Sequence, residues 1–202
     1  MRPATNRVVL VHADESCLGN GREGENPGGA ASLVEVVSEN GITRRDLLIS
    51  SPDTTNNRMA LAGAISTFKE LSKEDLSRQL TYVSDSQYLV KGMSEWVAGW
   101  RARGWRRKGG EIENLAMWQE LVTVSAEFMI EWKWVRGHAG HPKNEYVDDL
   151  AVRAATEQIN SDGFIESGLD TWLAHKQSRG QFINYDADRS LLESNGKIVS
   201  ER

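Results

Sequence analysis

The hydrophobic period of the chain switches part-way along, and this switch restricts it to few folds. Three β-branched runs come first, Arg7–Ala13, Ala30–Val37 and Ile42–Ser50. The last two are separated by Glu39-Asn40-Gly41, an Asn-Gly signal for a tight hairpin. From Thr55 the pattern becomes helical, with Leu61, Ile65 and Phe68 at i, i+4 and i+7. A fourth strand is expected at Leu80–Ser84, followed by helix-compatible sequence through Gly92, at Ser94–Trp100 and at Glu113–Phe128. Met129–Val135 alternates, with Ile130, Trp132 and Trp134 on one side and Glu131 and Lys133 on the other, as a strand with one wet face does. Tyr146–Ile159 returns to helical spacing. Strands joined through helices require parallel pairing in part of the sheet, so the expectation is an α/β fold, a mixed sheet with helices on both faces.

A chain of 202 residues has room for one good core. The expected organisation is a domain over residues 1–160 and a polar tail over 161–202, disordered or loosely docked. Cys17 is the only cysteine, so neither a disulfide framework nor a thiolate zinc site is available. The N-terminal residues lack the apolar run of a secretory signal, and no stretch is long enough to cross a bilayer. A cytoplasmic protein without membrane contact is expected. Its net charge of −5 argues against indiscriminate nucleic-acid binding. Against that background Arg101, Arg103, Arg106, Arg107 and Lys108 form a short segment with five basic residues and no acid, next to Trp96 and Trp100 and enclosing Trp105. A solvated helix end explains the charge but poorly explains three tryptophans so close together.

Asp14 follows the first strand and Asp85 the fourth, and the ends of neighbouring strands in α/β sheets are where functional groups converge. Asp148 lies early in the last helix, after a loop that can carry it to the same place. Singly, each reads as a turn or capping acid. Three carboxylates brought together repel unless cations lie between them, and oxygen donors without a thiolate or a histidine pair favour Mg²⁺ or Mn²⁺. Two such ions suit phosphoryl transfer.

Four blocks in order, Asp14-Glu15-Ser16-Cys17-Leu18-Gly19-Asn20, Thr54-Thr55-Asn56-Asn57-Arg58-Met59, Ser84-Asp85-Ser86-Gln87-Tyr88-Leu89-Val90 and Gly137-His138-Ala139-Gly140-His141-Pro142-Lys143-Asn144-Glu145, closely resemble the type 1 ribonuclease H family over roughly Arg7–Ala155. The resemblance implies a five-stranded mixed sheet and cleavage of the RNA strand of an RNA–DNA hybrid with two Mg²⁺ ions, Mn²⁺ being the alternative, by a monomer. It places Asp14, Asp85 and Asp148 at metal-binding positions and His138 at a loop histidine that serves product release or proton transfer; His141 reads as structural. Asn20, Asn56, Asn57 and Gln87 fall at positions that touch the hybrid, where amides can read 2′-hydroxyls. Thr55 falls at a phosphate-contacting position, although a helix cap explains it too. Trp96, Trp100, Trp105 and the basic residues 101–108 resemble the family's protrusion, which grips the DNA backbone. The Thr-Thr-Asn-Asn and Gly-His-Ala-Gly-His blocks argue against an integrase or junction resolvase on the same fold.

Two departures stand out. Family members carry a glutamate where this chain has Ala60, which cannot ligate metal. Glu15 is a poor substitute on paper, because adjacent residues on an extended strand face opposite sides. A strongly impaired enzyme that still holds hybrid is therefore expected, or a non-catalytic hybrid-binding module, with Ala60→Glu restoring cleavage. The second departure is Gly21-Arg-Glu-Gly-Glu-Asn-Pro-Gly-Gly, longer than a simple Asn-Pro-Gly turn, which unsettles the placement of Asn20.

Overall fold

A computed structural model describes residues 8–19, 25–74, 76 and 78–200, with side chains as far as Ser194. Its strands are β1 (Val8–Cys17), β2 (Gly28–Ser38), β3 (Gly41–Ser51), β4 (Gln79–Ser84), β5 (Met129–Trp134) and the short β6 (Ile165–Glu166). They form one sheet in the order β5-β4-β1-β2-β3-β6. β1, β2 and β3 make an antiparallel meander, the β2–β3 hairpin closing at Gly41 with φ +108°, a conformation that suits glycine. β4 and β5 add in parallel beside β1, as their helical connections require.

The helices cover both faces. α1 (Asn56–Ser72) and α4 (Leu115–Val124) lie over one side, where Val9, Val11, Ala13, Val34 and Val36 meet Ala60, Leu61, Ala64, Phe68 and Leu121 in the main core. α5 (Pro142–Glu157) lies over the other, with Val147, Ala151 and Ala154 turned to Ala31, Leu33 and Leu48. Gly29 lets α5 approach at backbone distance: a Cβ there would stand 2.4 Å from the Ala151 carbonyl oxygen and from the Ala155 nitrogen.

Between β4 and α4 the chain runs through α2 (Gln87–Lys91), a π-helical turn (Gly92–Trp96) and α3 (Val97–Ala102). The Trp118 ring lies so close to this run that a Cβ on Gly92 would meet it at 2.0 Å. Such π-turns recur at functional sites.

Two expectations are corrected here. The sheet has six strands, because the segment after residue 160 pairs Ile165–Glu166 with Arg45–Asp46 of β3. Nor is that segment loose. α6 (Leu169–Ser178) and α7 (Ala187–Ser200) pack on the α5 side, burying Leu169, Leu173, Ala187 and Leu191 against Leu33, Tyr146, Val147, Leu10 and Val83. Apolar residues at these spacings were hard to see in so polar a sequence. A buried leucine side chain gains about 1.5–3 kcal/mol, so Leu169, Leu173 and Leu191 together outweigh loose docking.

Candidate active site

β1 runs past the end of its parallel neighbour. Ala13 pairs with Ser84, the last residue of β4, while Asp14 and Glu15 pair only with Ala31 and Ala30 of β2. The chain after Ser84 turns away at Asp85, held by hydrogen bonds from the Ser86 amide to Ser84 Oγ (3.0 Å) and from Trp134 Nε1 to the Asp85 carbonyl (2.9 Å). Beyond that strand end β1 is the edge of the sheet, so carboxylates from both of its faces reach Asp85.

Asp14, Glu15 and Asp85 accordingly offer oxygen atoms that all lie within 4.8 Å of one another. The pleat argument against Glu15 fails at this point. The two side chains do leave opposite faces, Glu15 on the side of Ala13 and α1, Asp14 on the side of α5, but they flank a gap.

The electrostatics agree with three acids crowded together. Burial above all, then Asp85 and Glu15, push the Asp14 carboxyl up to about 9. Burial and Asp85 push Glu15 up to about 8, partly offset by a hydrogen bond with Ser86. Burial raises Asp85 too. Asp14 accepts from the Glu15 amide (2.7 Å) and from Asn144 Nδ2 (3.3 Å), whose Oδ1 is buried without a partner among the described residues.

Asp148 stands outside the tight cluster. It shares one face of α5 with Asn144, four residues earlier, and its carboxylate lies 3.6 Å from His138 Nδ1; burial raises its pKa. His138 is exposed, at φ +51° in the loop before α5. The preceding Gly137 leaves room for Asp85, since a Cβ there would fall 2.1 Å from Asp85 Oδ2. His141 caps α5, its ring accepting from the Asn144 amide (3.4 Å). Ala60 is buried in the core between β1 and α1.

The expected hybrid-contacting residues are spread over several elements. Asn56 and Asn57 open α1, and Gln87, exposed, opens α2 two residues after Asp85. Thr55 caps α1, its hydroxyl accepting from the Arg58 amide (3.3 Å). Asn20 lies outside the described residues. Trp100 is corrected: only 8% exposed, its ring is wedged between Trp96 (5.9 Å) and Trp118 (5.7 Å), in the core. Trp96 and Trp105 are half-buried, and Arg101, Arg103, Arg106, Arg107 and Lys108 are exposed. A cavity of about 270 Å³ runs between Tyr88, Trp96, Arg107 and Ile112.

The RNase H family model matches residues 6–156. The chain belongs to the RNase H family. Ribonuclease H of Pelobacter propionicus is 41% identical over 155 residues, 76% of this chain and 88% of that protein. The Cupriavidus necator ribonuclease H is 41% identical over 146 residues, 72% and 93% of the two chains. Among solved structures, LC9-RNase H1, a type 1 RNase H with the type 2 active-site motif, is 51% identical with a TM-score of 0.78, covering 85% of this chain and 82% of its own. The RNase H family match ends before β6, α6 and α7.

Proposed function

We propose that the chain is an active endoribonuclease that hydrolyses the RNA strand of RNA–DNA hybrids, with Glu15 supplying the carboxylate missing at Ala60. The observation that carries this is the convergence of Glu15 with Asp14 and Asp85. The expectation of an impaired enzyme rested on Ala60 alone. LC9-RNase H1, a type 1 RNase H with the type 2 active-site motif, supports a departure from the usual active-site motif in this chain as well.

The all-oxygen donor set suits Mg²⁺ or Mn²⁺. Asp14, Glu15 and Asp85 would hold the metal, with Asp148 and the unpartnered Asn144 Oδ1 at the margin. Two such ions, when bound, would supply positive charge to stabilise the attacking and leaving oxygens of a phosphodiester. The protein's own part is orientation. Asn144 fixes Asp14, Ser86 steadies Glu15, and Gly137 leaves Asp85 its place. His138, beside Asp148 on a glycine-flanked loop, is placed to move a proton at Nδ1 and to swing away for product release. Asn56, Asn57 and Gln87 meet the ribose edge, and the exposed arginines meet the phosphates of the DNA strand. The protein works as a cytoplasmic monomer.

Metal-dependent cleavage of a labelled hybrid by the wild type, Glu15→Gln and Ala60→Glu tests the proposal. Cleavage by the wild type, its loss by about a hundredfold or more in Glu15→Gln, and no gain in Ala60→Glu are expected. A silent wild type that gains activity in Ala60→Glu would establish the hybrid-binding module instead.

A further inference from the structure

α5 carries two groups toward the acidic cluster, Asn144 and Asp148, and its first turn is held in an unusual way. Lys143 there is 1% exposed, and its ammonium donates to Glu35 Oε2 of β2 (2.7 Å), a residue with no exposed surface. Lysine is seldom fully buried, and a cation in the first turn of a helix opposes the positive end of the helix dipole. Desolvation of both ions consumes most of their attraction, so such a pair is weak support for stability; one of its attested uses is to fix a register.

The surroundings give it that use. The described residues leave a cavity of about 210 Å³ beside the first turn, lined by His12, Thr81, Lys133, His141 and Lys143 among others, so on this side the helix end has the ion pair rather than an apolar neighbour against it. The His12 and His141 rings stack at 5.4 Å, and His12 Nδ1 is 3.9 Å from Glu35. Glu35 is fixed from its other side by Arg44 Nε (2.8 Å), which also reaches Asp188 of α7 (2.5 Å) and Asp170 of α6 (3.5 Å). A continuous polar chain thus runs from the C-terminal segment through Arg44, Glu35 and Lys143 to the residue adjoining Asn144.

We propose that Glu35 and Lys143 are positioning residues of the hydrolytic site, an ionic tether that sets the register of α5 on β2 and so keeps Asn144 on Asp14 and Asp148 beside His138. The inference rests on the reading of that cluster as the cleavage centre. It separates holding the fold together, which apolar packing can do, from holding the helix in register, which the tether does.

The test is the full-length double variant Glu35→Leu/Lys143→Met, which replaces the buried pair by apolar groups of similar size, compared with the wild type in thermal unfolding, Mn²⁺ binding by calorimetry, and hybrid-cleavage kinetics. Near-wild-type melting with Mn²⁺ affinity and kcat each lower by roughly tenfold or more, and KM for hybrid unchanged, is expected. A folded double variant with wild-type Mn²⁺ affinity and kcat overturns the tether. Should the double variant fail to fold, Glu35→Asp keeps the charge but withdraws it by one methylene, and the same two quantities decide. A wild type that binds Mn²⁺ but cleaves no hybrid would defeat the reading of the site, while the Mn²⁺ comparison would still judge the tether.

Discussion

Glu15→Gln should make the metal-free protein more stable as well as inactive, and the gain should depend on pH. In the folded chain the Glu15 carboxyl titrates at about 8, against an ordinary 4.5, because it is buried and faces Asp85. A carboxyl raised on folding binds protons more tightly in the native state. Its contribution to stability is therefore fully present below about pH 4.5 and is lost as pH rises toward 8. At about 1.4 kcal/mol per pK unit, the rise from 4.5 to about 8 sets a ceiling of roughly 5 kcal/mol. The Glu15 side chain keeps part of its surface in solvent although its carboxyl is largely desolvated, and it interacts with Asp14 and Asp85, so solvent screening and coupling leave about 2 kcal/mol to observe. For a domain of this size that is about 4–8 °C in Tm. Melting both proteins in chelator at pH 5, 7 and 9 should give curves that nearly coincide at pH 5 and separate progressively, the glutamine form the more stable. Saturating Mg²⁺ should reverse the order. Parallel Tm–pH profiles in chelator would refute the account, since they would mean that Glu15 does not feel the other acids.

Three further outcomes are expected. Gly137→Ala should lower kcat by roughly tenfold or more with Tm barely changed, because the added methyl meets Asp85 Oδ2 while Gly137 needs no left-handed backbone; unchanged kinetics would mean that Asp85 has room to spare. Leu191→Ala should cost about 2–5 kcal/mol in denaturant unfolding, as for other buried leucines, and a cost below about 0.5 kcal/mol would show that α7 is peripheral. Arg106→Gln/Arg107→Gln should weaken hybrid binding about equally for different sequences and reduce the slope of log K against log salt by about 1–2, whereas a sequence-dependent loss would argue for base contacts.

Much of the fold was legible because it rests on period and turn chemistry. The Asn40-Gly41 hairpin, the helical spacing of Leu61, Ile65 and Phe68, and the alternation of Ile130 and Trp132 all report local geometry that tertiary packing did not override. The convergence of Asp14 and Asp85 was legible through ordered motifs. Three features were not. Glu15 was excluded by a rule that holds inside a sheet and lapses where β1 outruns β4. Trp100 sits in the same basic segment as exposed arginines, and only the close seat of Trp118 on the π-helical turn decides that its ring faces inward. The Lys143–Glu35 pair joins residues 108 positions apart, with nothing local to announce it.

The short β6 has a bearing on solubility. β3 is an eleven-residue strand at the border of the meander, and only its Arg45–Asp46 stretch is occupied by β6. Farther along, Ser161 takes up Leu48 from both sides: its amide donates to the Leu48 carbonyl (2.9 Å) and its hydroxyl accepts from the Leu48 amide (2.9 Å). Asn160 Oδ1 accepts from the Ser50 amide (2.8 Å). A few residues just past the family-wide region thus occupy backbone groups that would otherwise invite another chain to pair. A shortened protein ending near residue 156 would keep every acid of the cluster and still present that border to its neighbours, so aggregation rather than lost chemistry would be its first failure.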